Sequence, residues 1–340
     1  MGNAIEQKLV LVTGGAGYIG SHTVVELTKA GYKCIVIDDF SNSKASIIDS
    51  LHLITGIKIE VYTGDVGNKE FLRSLFSLYN FEAVIHFAGL KSVSESSKRV
   101  LDYIYVNVIA TVNLLSVMAE FSVHRFIFSS SATVYDPQGS LPFTESSPLR
   151  PTNTYGETKL MVENICQRLA LQENSSWNII ALRYFNPIGA HKSGLIGEDP
   201  KGIPNNLVPY LMKVAKGSIK ELPVFGGDYP TTDGTGERDY IHVLDLALGH
   251  VAALSNIIGG GKGVGYECIN LGCGRATSVL ELIAKFESVT GVKVPYRLEG
   301  RRYGDVAKSY ADCDKAKKIL GWASSFEIGE MLLDSWNYAK

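Results

Sequence analysis

The chain has 340 residues, 45% of them hydrophobic and 20% charged, with a formal net charge of −2. That composition excludes wholesale disorder, and the near-neutral balance gives nucleic acid or an anionic membrane no electrostatic footing. Five scattered cysteines (Cys34, Cys166, Cys268, Cys273 and Cys313) lack CxxC spacing and an accompanying His cluster, so reduced thiols are expected and structural zinc is not. No signal peptide precedes the first strand and no apolar run reaches about 18 residues, which predicts a cytoplasmic protein without a membrane partner.

Short β-branched runs recur along the first half. Lys8–Thr13, Lys33–Asp38, Lys58–Tyr62, Ala83–Phe87, Arg125–Ser130 and Asn178–Tyr184 read as strands, and their near-continuous apolarity suits a parallel sheet covered on both faces. Segments with helical periodicity, such as Ser21–Gly31 and Lys69–Asn80, separate them. This alternation predicts a doubly wound α/β domain over 1–184. Beyond it Gly and Pro become dense over Asn186–Pro209 and Gly226–Gly236, as in long functional loops. A further strand over Tyr266–Leu271 and return segments are expected to rejoin that first domain, and a helix near Ser278–Thr290 follows. The region 185–340 is expected to be a smaller mixed α/β substrate domain woven around the sheet edge.

The first strand ends in Thr13-Gly14-Gly15-Ala16-Gly17-Tyr18-Ile19-Gly20 and runs into a helix. Glycines at 14 or 15, 17 and 20 let the backbone turn tightly, approach a pyrophosphate and pack helix on sheet, while the helix amino terminus offers free N–H groups to the phosphates. Asp38 closes the second strand, where a carboxylate accepts hydrogen bonds from an adenosine 2′-OH and repels a 2′-phosphate, favouring NAD over NADP. Asp39 beside it reads as a second contact or as a solvated loop acid. Further on, Tyr155-Gly156-Glu157-Thr158-Lys159 places a phenol and an ammonium one helical turn apart if it opens a helix. A fixed positive charge beside a tyrosine favours its phenolate and makes it a proton acceptor from an alcohol.

With the glycine loop in place, Tyr155 and Lys159 resemble the catalytic pair of the extended short-chain dehydrogenase/reductase superfamily, and Ser129-Ser130-Ser131-Ala132-Thr133 supplies the expected serine. Phe87-Ala88-Gly89-Leu90-Lys91, Arg183-Tyr184-Phe185-Asn186-Pro187, Asn205-Asn206-Leu207 and the run Asp233–Tyr240 narrow the likeness to the UDP-glucose 4-epimerase family over about residues 8 to 335. Asp136 departs from the family, which has glycine after Val-Tyr, and is expected to alter a loop and not the chemistry.

The resemblance implies reversible epimerisation at C4 of UDP-glucose and UDP-galactose through a transient 4-keto sugar, with NAD as cofactor. It makes Tyr155 the acid/base, Lys159 its tuning partner and Ser131 a hydrogen-bonding partner of the reacting oxygen. It implies cofactor contacts from Gly14, Gly17, Tyr18, Ile19, Gly20, Asp38, Asp39, Asn42, Asp65, Val66, Phe87, Ala88, Gly89, Lys91, Asn107 and Tyr184, besides Tyr155 and Lys159. Substrate contacts are implied for Lys91, Ser131, Thr133, Tyr155, Phe185, Asn186, Asn206, Leu207, Phe225, Arg238, Arg302, Asp305 and Ser309. Both arginines can present a fork of donors to a diphosphate, and adjacent Arg301 is an alternative to Arg302.

Aligned on Gly304-Asp305, the residue walling the sugar pocket is Ser309, and in this family a small residue there leaves room for a 2-acetamido group. UDP-N-acetylhexoses are therefore expected as substrates too, although a one-residue shift onto Tyr310 reverses that expectation. A homodimer built from the helix near Tyr155 and one over Val100–Phe121 is also implied. A sugar-nucleotide 4,6-dehydratase is disfavoured, because that family's Asp-Glu is replaced here by Ala132-Thr133. A UDP-pentose or UDP-uronate 4-epimerase and an NAD-sensing regulatory protein are the remaining alternatives. His86, His191 and His242 read as structural histidines.

Overall fold

The computed structural model describes residues 7–202, 204–260, 265–302 and 304–340. Its strands in chain order are β1 (Leu9–Thr13), β2 (Lys33–Asp38), β3 (Glu60–Thr63), β4 (Ala83–His86), β5 (Arg125–Ser131), β6 (Asn178–Tyr184) and β7 (Asn186–Ile188). They continue as β8 (Leu222–Phe225), β9 (Glu237–His242), β10 (Gly265–Leu271), β11 (Ala276–Ser278), β12 (Tyr296–Glu299) and β13 (Lys308–Ser309). Seven form one parallel sheet in the order β10-β6-β5-β4-β1-β2-β3. The chain leaves β1 toward one edge and returns through β4 toward the other. A crevice therefore opens at the carboxyl ends of β1 and β4, the topological switch point where such sheets take ligands.

Successive strand residues point to opposite faces, and both faces are buried. Val10, Val12, Val36 and Leu182 pack with Val24 and Leu27 of the Tyr18–Lys29 helix and with Leu246 and Leu254 of the Val243–Ile258 helix. Leu11, Ile35, Phe126 and Phe128 pack on the other face against the Lys69–Leu78, Ala110–Glu120 and Thr154–Ala170 helices, through residues such as Leu72, Leu114 and Val162. Double coverage is why these strands read as continuous apolar runs. The predicted strand at Lys58 begins at Glu60 instead, and the predicted helix at Ser21 begins at Tyr18, directly on the glycine loop. The Val243–Ile258 helix and β10 both lie in the sheet layer although they follow residue 184.

A smaller layer is built on β9, which pairs antiparallel with β11 and parallel with β7 and β13. Asp239 in its centre is fully buried and accepts the backbone N–H groups of Cys273 (2.7 Å), Gly274 (3.0 Å) and Ala311 (3.0 Å). One carboxylate thus fastens two distant loops to β9. β8 and β12 form a separate parallel pair.

Among the described residues one helical stretch, Val100–Glu120, is long and apolar enough by length and composition to cross a membrane, with a mean hydropathy of 1.6. Interrupting it is a π-turned segment, Ile104–Ile109, which carries buried Asn107. Leu114 and Met118 of its last part are buried on the sheet. Leu101 (80% exposed), Tyr105 (52%), Ile109 (43%) and Val112 (39%) form an apolar stripe on its outer side.

The Thr154–Ala170 helix starts under local control. Asn153 caps it, its Oδ1 accepting the Gly156 N–H at 2.9 Å. A Cβ at Gly156 would stand 2.6 Å from the Thr133 carbonyl oxygen and 2.9 Å from Pro151 Cβ. Alanine ordinarily stabilises a helix relative to glycine by about 1 kcal/mol. Here Gly156→Ala is expected to do the reverse, lowering stability by about 1–3 kcal/mol through overpacking. Thermal unfolding measures it, and an unchanged or raised midpoint refutes the close-approach reading.

Candidate active site

The crevice is lined first by the glycine loop. Gly14 has φ +68°, and a Cβ there would lie 2.7 Å from the Ala88 nitrogen, so only glycine lets the loop press against the end of β4. A Cβ at Gly20 would lie 2.3 Å from the Gly14 carbonyl oxygen. Gly17 is the N-cap of the next helix, whose first turn has neither a side-chain cap nor an acid. Its N–H groups and dipole are left to an anion. Asp38 is 7% exposed; its carboxylate accepts from the Ala16 and Phe40 N–H groups (3.0 and 2.9 Å) and from the Ser43 hydroxyl (2.8 Å). A tight anion cradle followed by a carboxylate at the end of β2 fits the pyrophosphate and adenosine ribose of NAD.

A buried hydrogen-bond chain joins this loop to the helix of the Tyr–Lys pair. Thr13 Oγ1 lies 2.6 Å from His86 Nδ1, and His86 Nε2 lies 2.9 Å from Thr111 Oγ1. Thr111 spends its one hydroxyl proton on the Asn107 carbonyl (2.7 Å). Nε2 of His86 must then carry the imidazole proton, and Thr13 donates to Nδ1. Burial lowers the His86 pKa to about 3, so the ring stays neutral and structural, as its place in β4 predicts. Asn107 in turn grips the Leu90 N–H and carbonyl (2.8 and 3.0 Å) and donates to Thr158 Oγ1 (3.1 Å). Thr158 donates to the Tyr155 carbonyl at 2.8 Å.

Tyr155, Lys159 and Ser131 meet at the end of β5. Lys159 is 5% exposed, and its Nζ donates to the Ser129 carbonyl at 2.7 Å and lies 5.7 Å from the centre of the Tyr155 ring. Ser131 Oγ accepts from the Thr133 N–H and hydroxyl (3.2 and 3.0 Å) and faces the Tyr155 phenol. Burial pushes the phenol up to about 12, with the Ser131 hydroxyl opposing. Burial also brings Lys159 down to about 8, with Glu163 opposing. The lysine was expected to draw the phenol toward neutral pH. Desolvation outweighs it, because the ammonium is aimed at a carbonyl and not at the phenol.

The other expected residues fall into two groups. On the cofactor side, Phe87 and Tyr184 both meet His250, the first at 4.8 Å between ring centres and the second through a 2.5 Å hydrogen bond. Tyr18 donates to the Gly189 carbonyl (2.7 Å), and Asp65 accepts the Gly67 N–H (2.7 Å) beside buried Val66. Ile19 packs toward the core, and Gly89 faces Asn107. Asp39 is exposed and accepts only from Ser41 within its own turn, and Asn42 beside it is exposed.

On the substrate side, Arg302 lies 5.2 Å above the Phe225 ring and is held in a fork by Asp305 (3.1 and 3.1 Å). Arg301 turns away to Asp228 and the Tyr229 ring. Asn186 lies on β7 and Phe185 is buried with Tyr135 and Phe143, while Leu207 opens the Leu207–Ala215 helix. Arg238 donates to the Val306 carbonyl (2.9 Å) and pairs in register with Ser309. Residues directly opposite on paired strands share a face, so Ser309 stands beside Arg238. Tyr310 goes with Lys308, whose ammonium lies 5.3 Å over its ring and pairs with Glu237 on the other face. Asp136 closes a loop, accepting the Gln138 N–H (3.0 Å), and lies 3.9 Å from the Arg150 guanidinium.

Glu198 joins the two groups and was missed, since Gly197-Glu198-Asp199-Pro200 carries no periodic or spacing signal. Its Oε1 accepts from both Lys91 Nζ (3.0 Å) and Asn206 Nδ2 (3.1 Å). Nearby, Lys44 pairs with Asp199, and Lys201 Nζ donates to the Phe40 and Ser41 carbonyls (3.2 and 2.5 Å), just past Asp38.

The chain is similar to known proteins over nearly its whole length. UDP-glucose 4-epimerase of Bacillus subtilis is 50% identical over 329 residues, covering 97% of this chain and 96% of the relative. An Arabidopsis thaliana protein named bifunctional UDP-glucose 4-epimerase and UDP-xylose 4-epimerase 3 is 48% identical over 343 residues, covering 100% and 97%. The crystal structure of Bifidobacterium longum UDP-glucose 4-epimerase in complex with NAD+ and UDP matches with a TM-score of 0.92 at 47% identity, covering 97% and 98%. Residues 10–272, which run from the first strand of the sheet to just past its last, match the NAD dependent epimerase/dehydratase family, and this chain belongs to that family.

Proposed function

We propose that this protein is a UDP-glucose 4-epimerase that interconverts UDP-glucose and UDP-galactose. The observation that carries this reading is the position of Tyr155, Ser131 and Lys159, between the glycine cradle and the β9 layer that bears Arg238 and Ser309. Gly14, Gly17, Gly20, Asp38, Phe87, Lys91, Asn107 and Lys159 are the groups that hold NAD. When bound, NAD supplies a reversible two-electron acceptor for a carbon that bears only a hydroxyl, together with a positive charge near the phenol.

The chain's own residues do the rest. Arg238 and Arg302 offer forked donors to the diphosphate, and Asn206, Leu207 and Phe225 hold the uridine end. Ser131 orients the 4′-hydroxyl, and Tyr155 takes its proton in one half of the turnover and returns it in the other. Between the halves the sugar ring must present its opposite face, so the grip belongs on UDP and the hexose stays loosely held. General acid–base help of this kind is typically worth about 10²–10⁴-fold.

Wild-type protein given UDP-galactose without added NAD is expected to yield both C4 epimers. Tyr155→Phe is expected to lose about 10²–10⁴-fold in kcat while retaining its NAD. A variant that kept most of its turnover would sink the assignment of Tyr155, and wild-type turnover confined to UDP-pentoses or UDP-uronates would displace the hexose reading.

The face shared by Ser309 and Arg238 supports a broader substrate range, with room for a 2-acetamido group. UDP-N-acetylglucosamine and UDP-N-acetylgalactosamine are then substrates as well. Ser309→Tyr is expected to cut their kcat/KM by roughly ten-fold or more while leaving the plain hexoses within a few-fold. A wild-type enzyme already inert toward the acetylated pair overturns this.

The stripe of Leu101, Tyr105, Ile109 and Val112, with Met161 (43% exposed) on the neighbouring helix, supports a homodimer through paired helices. Ile109→Glu is expected to give monomers by light scattering, whereas a wild-type protein already monomeric at micromolar concentration refutes the interface.

A further inference from the structure

Three side chains spaced four residues apart on the Thr154–Ala170 helix each meet one of three consecutive serines at the end of β5. Tyr155 meets the Ser131 hydroxyl, Lys159 the Ser129 carbonyl at 2.7 Å, and Glu163 the Ser130 hydroxyl at 2.5 Å. The first two contacts belong to the site described above, and the third has no part in it. Glu163 is also gripped by Arg183 of β6 through two parallel bonds, Nε at 3.0 Å and Nη2 at 2.6 Å. Both side chains are almost wholly buried, at 3% and 2% exposure. Arg183 stands directly beside Ser130 in the sheet register. Its Nη1 reaches the Tyr135 hydroxyl (3.0 Å), which donates to Asn270 of β10 (2.6 Å).

A buried ion pair is a poor device for stability, because desolvation offsets the attraction and an apolar replacement is often as good. Its position, one helical turn from Lys159, suits it to another use. The geometry points to Glu163 as a positioning residue of the proposed epimerisation: locked by Arg183 and Ser130, it holds the Lys159 turn against Ser129 and presents a negative charge to the Lys159 ammonium. The inference rests on the function proposed above.

Burial works against the Lys159 charge, and Glu163 is the group that works for it. From β4 the neutral His86 faces Lys159, and from β5 the Phe128 ring lies 4.9 Å from Nζ. From its own helix the Tyr155 ring faces it. Around Glu163, besides Arg183, are Cys166 on the same helix and Tyr266 and Cys268 on β10, all pushed up by burial and so uncharged at neutral pH. Glu145 reaches the cluster through its carbonyl, which accepts from Arg183, and through its carboxylate, which accepts the Asn270 N–H at 2.8 Å on the far side of Tyr135.

A lysine that must stay protonated makes activity fall as pH rises through its pKa. Glu163→Gln removes the supporting charge, so the alkaline limb of kcat should move to lower pH by about one unit or more. Ser130→Ala keeps the carboxylate, so its kcat should fall several-fold with the limb in place. All variants are measured as NAD-loaded protein with UDP-galactose. A folded Glu163→Gln enzyme whose limb coincides with wild type overturns the inference. If that variant fails to fold with Arg183 left unpaired, Glu163→Gln/Arg183→Met removes both charges. Its limb should move the same way, and an unmoved limb there is equally fatal. A wild-type enzyme with no UDP-galactose turnover at all would instead defeat the proposed function.

Discussion

A phenol and an ammonium can act on a bound ligand only if their helix cannot slide against the sheet that holds the ligand. Here that constraint is met by a buried polar chain with each proton accounted for, running Thr13–His86–Thr111–Asn107–Thr158 to the Tyr155 carbonyl. A break at any link strands a buried donor or acceptor, which costs about 1–3 kcal/mol. Both ends are functional: Thr13 precedes the glycine loop and Tyr155 carries the phenol. The cradle and the acid/base are therefore set by one network, and the π-turned segment exists where Asn107 must reach both Leu90 and Thr158.

Burial sets the electrical character of the site. It holds the phenol neutral and brings the ammonium closer to neutral pH without discharging it. A bound positive charge favours the phenolate, and Glu163 favours the charged lysine. The substrate wall follows a different logic. β9 anchors β7, β11 and β13 at once, and Asp239 ties its neighbouring loops from within. The rigid sheet then presents Arg238 and Ser309 on one face. Glu198 ties the two walls, its carboxylate accepting from both Lys91 and Asn206.

Much of this was legible in the linear chain, because its causes are local. Glycine at 14, 17 and 20 is demanded by backbone approach, and apolar runs at 9–13, 33–38 and 125–131 are demanded by a sheet buried on both faces. Asp38 and the Tyr155/Lys159 pair follow from strand ends and helical spacing. Glu163 lies four residues beyond Lys159 and was open to the same spacing argument. Glu198 was not, because nothing near it in the chain marks its role. The need for glycine at 156 was not legible either, because it comes from the distant Thr133 carbonyl.

The amino-acid order by itself determined the α/β class and the glycine turn that opens the first helix, and it set Tyr155 and Lys159 one helical turn apart. All of these depend on periods and turns that act within a few residues. Tertiary structure alone decided that Ser309, and not Tyr310, stands beside Arg238. It also decided that Arg302 and not Arg301 covers Phe225, and that Glu163 is locked to Arg183. Those outcomes depend on strand register and on contacts between segments far apart in the chain, where a shift of one residue turns a side chain to the opposite face.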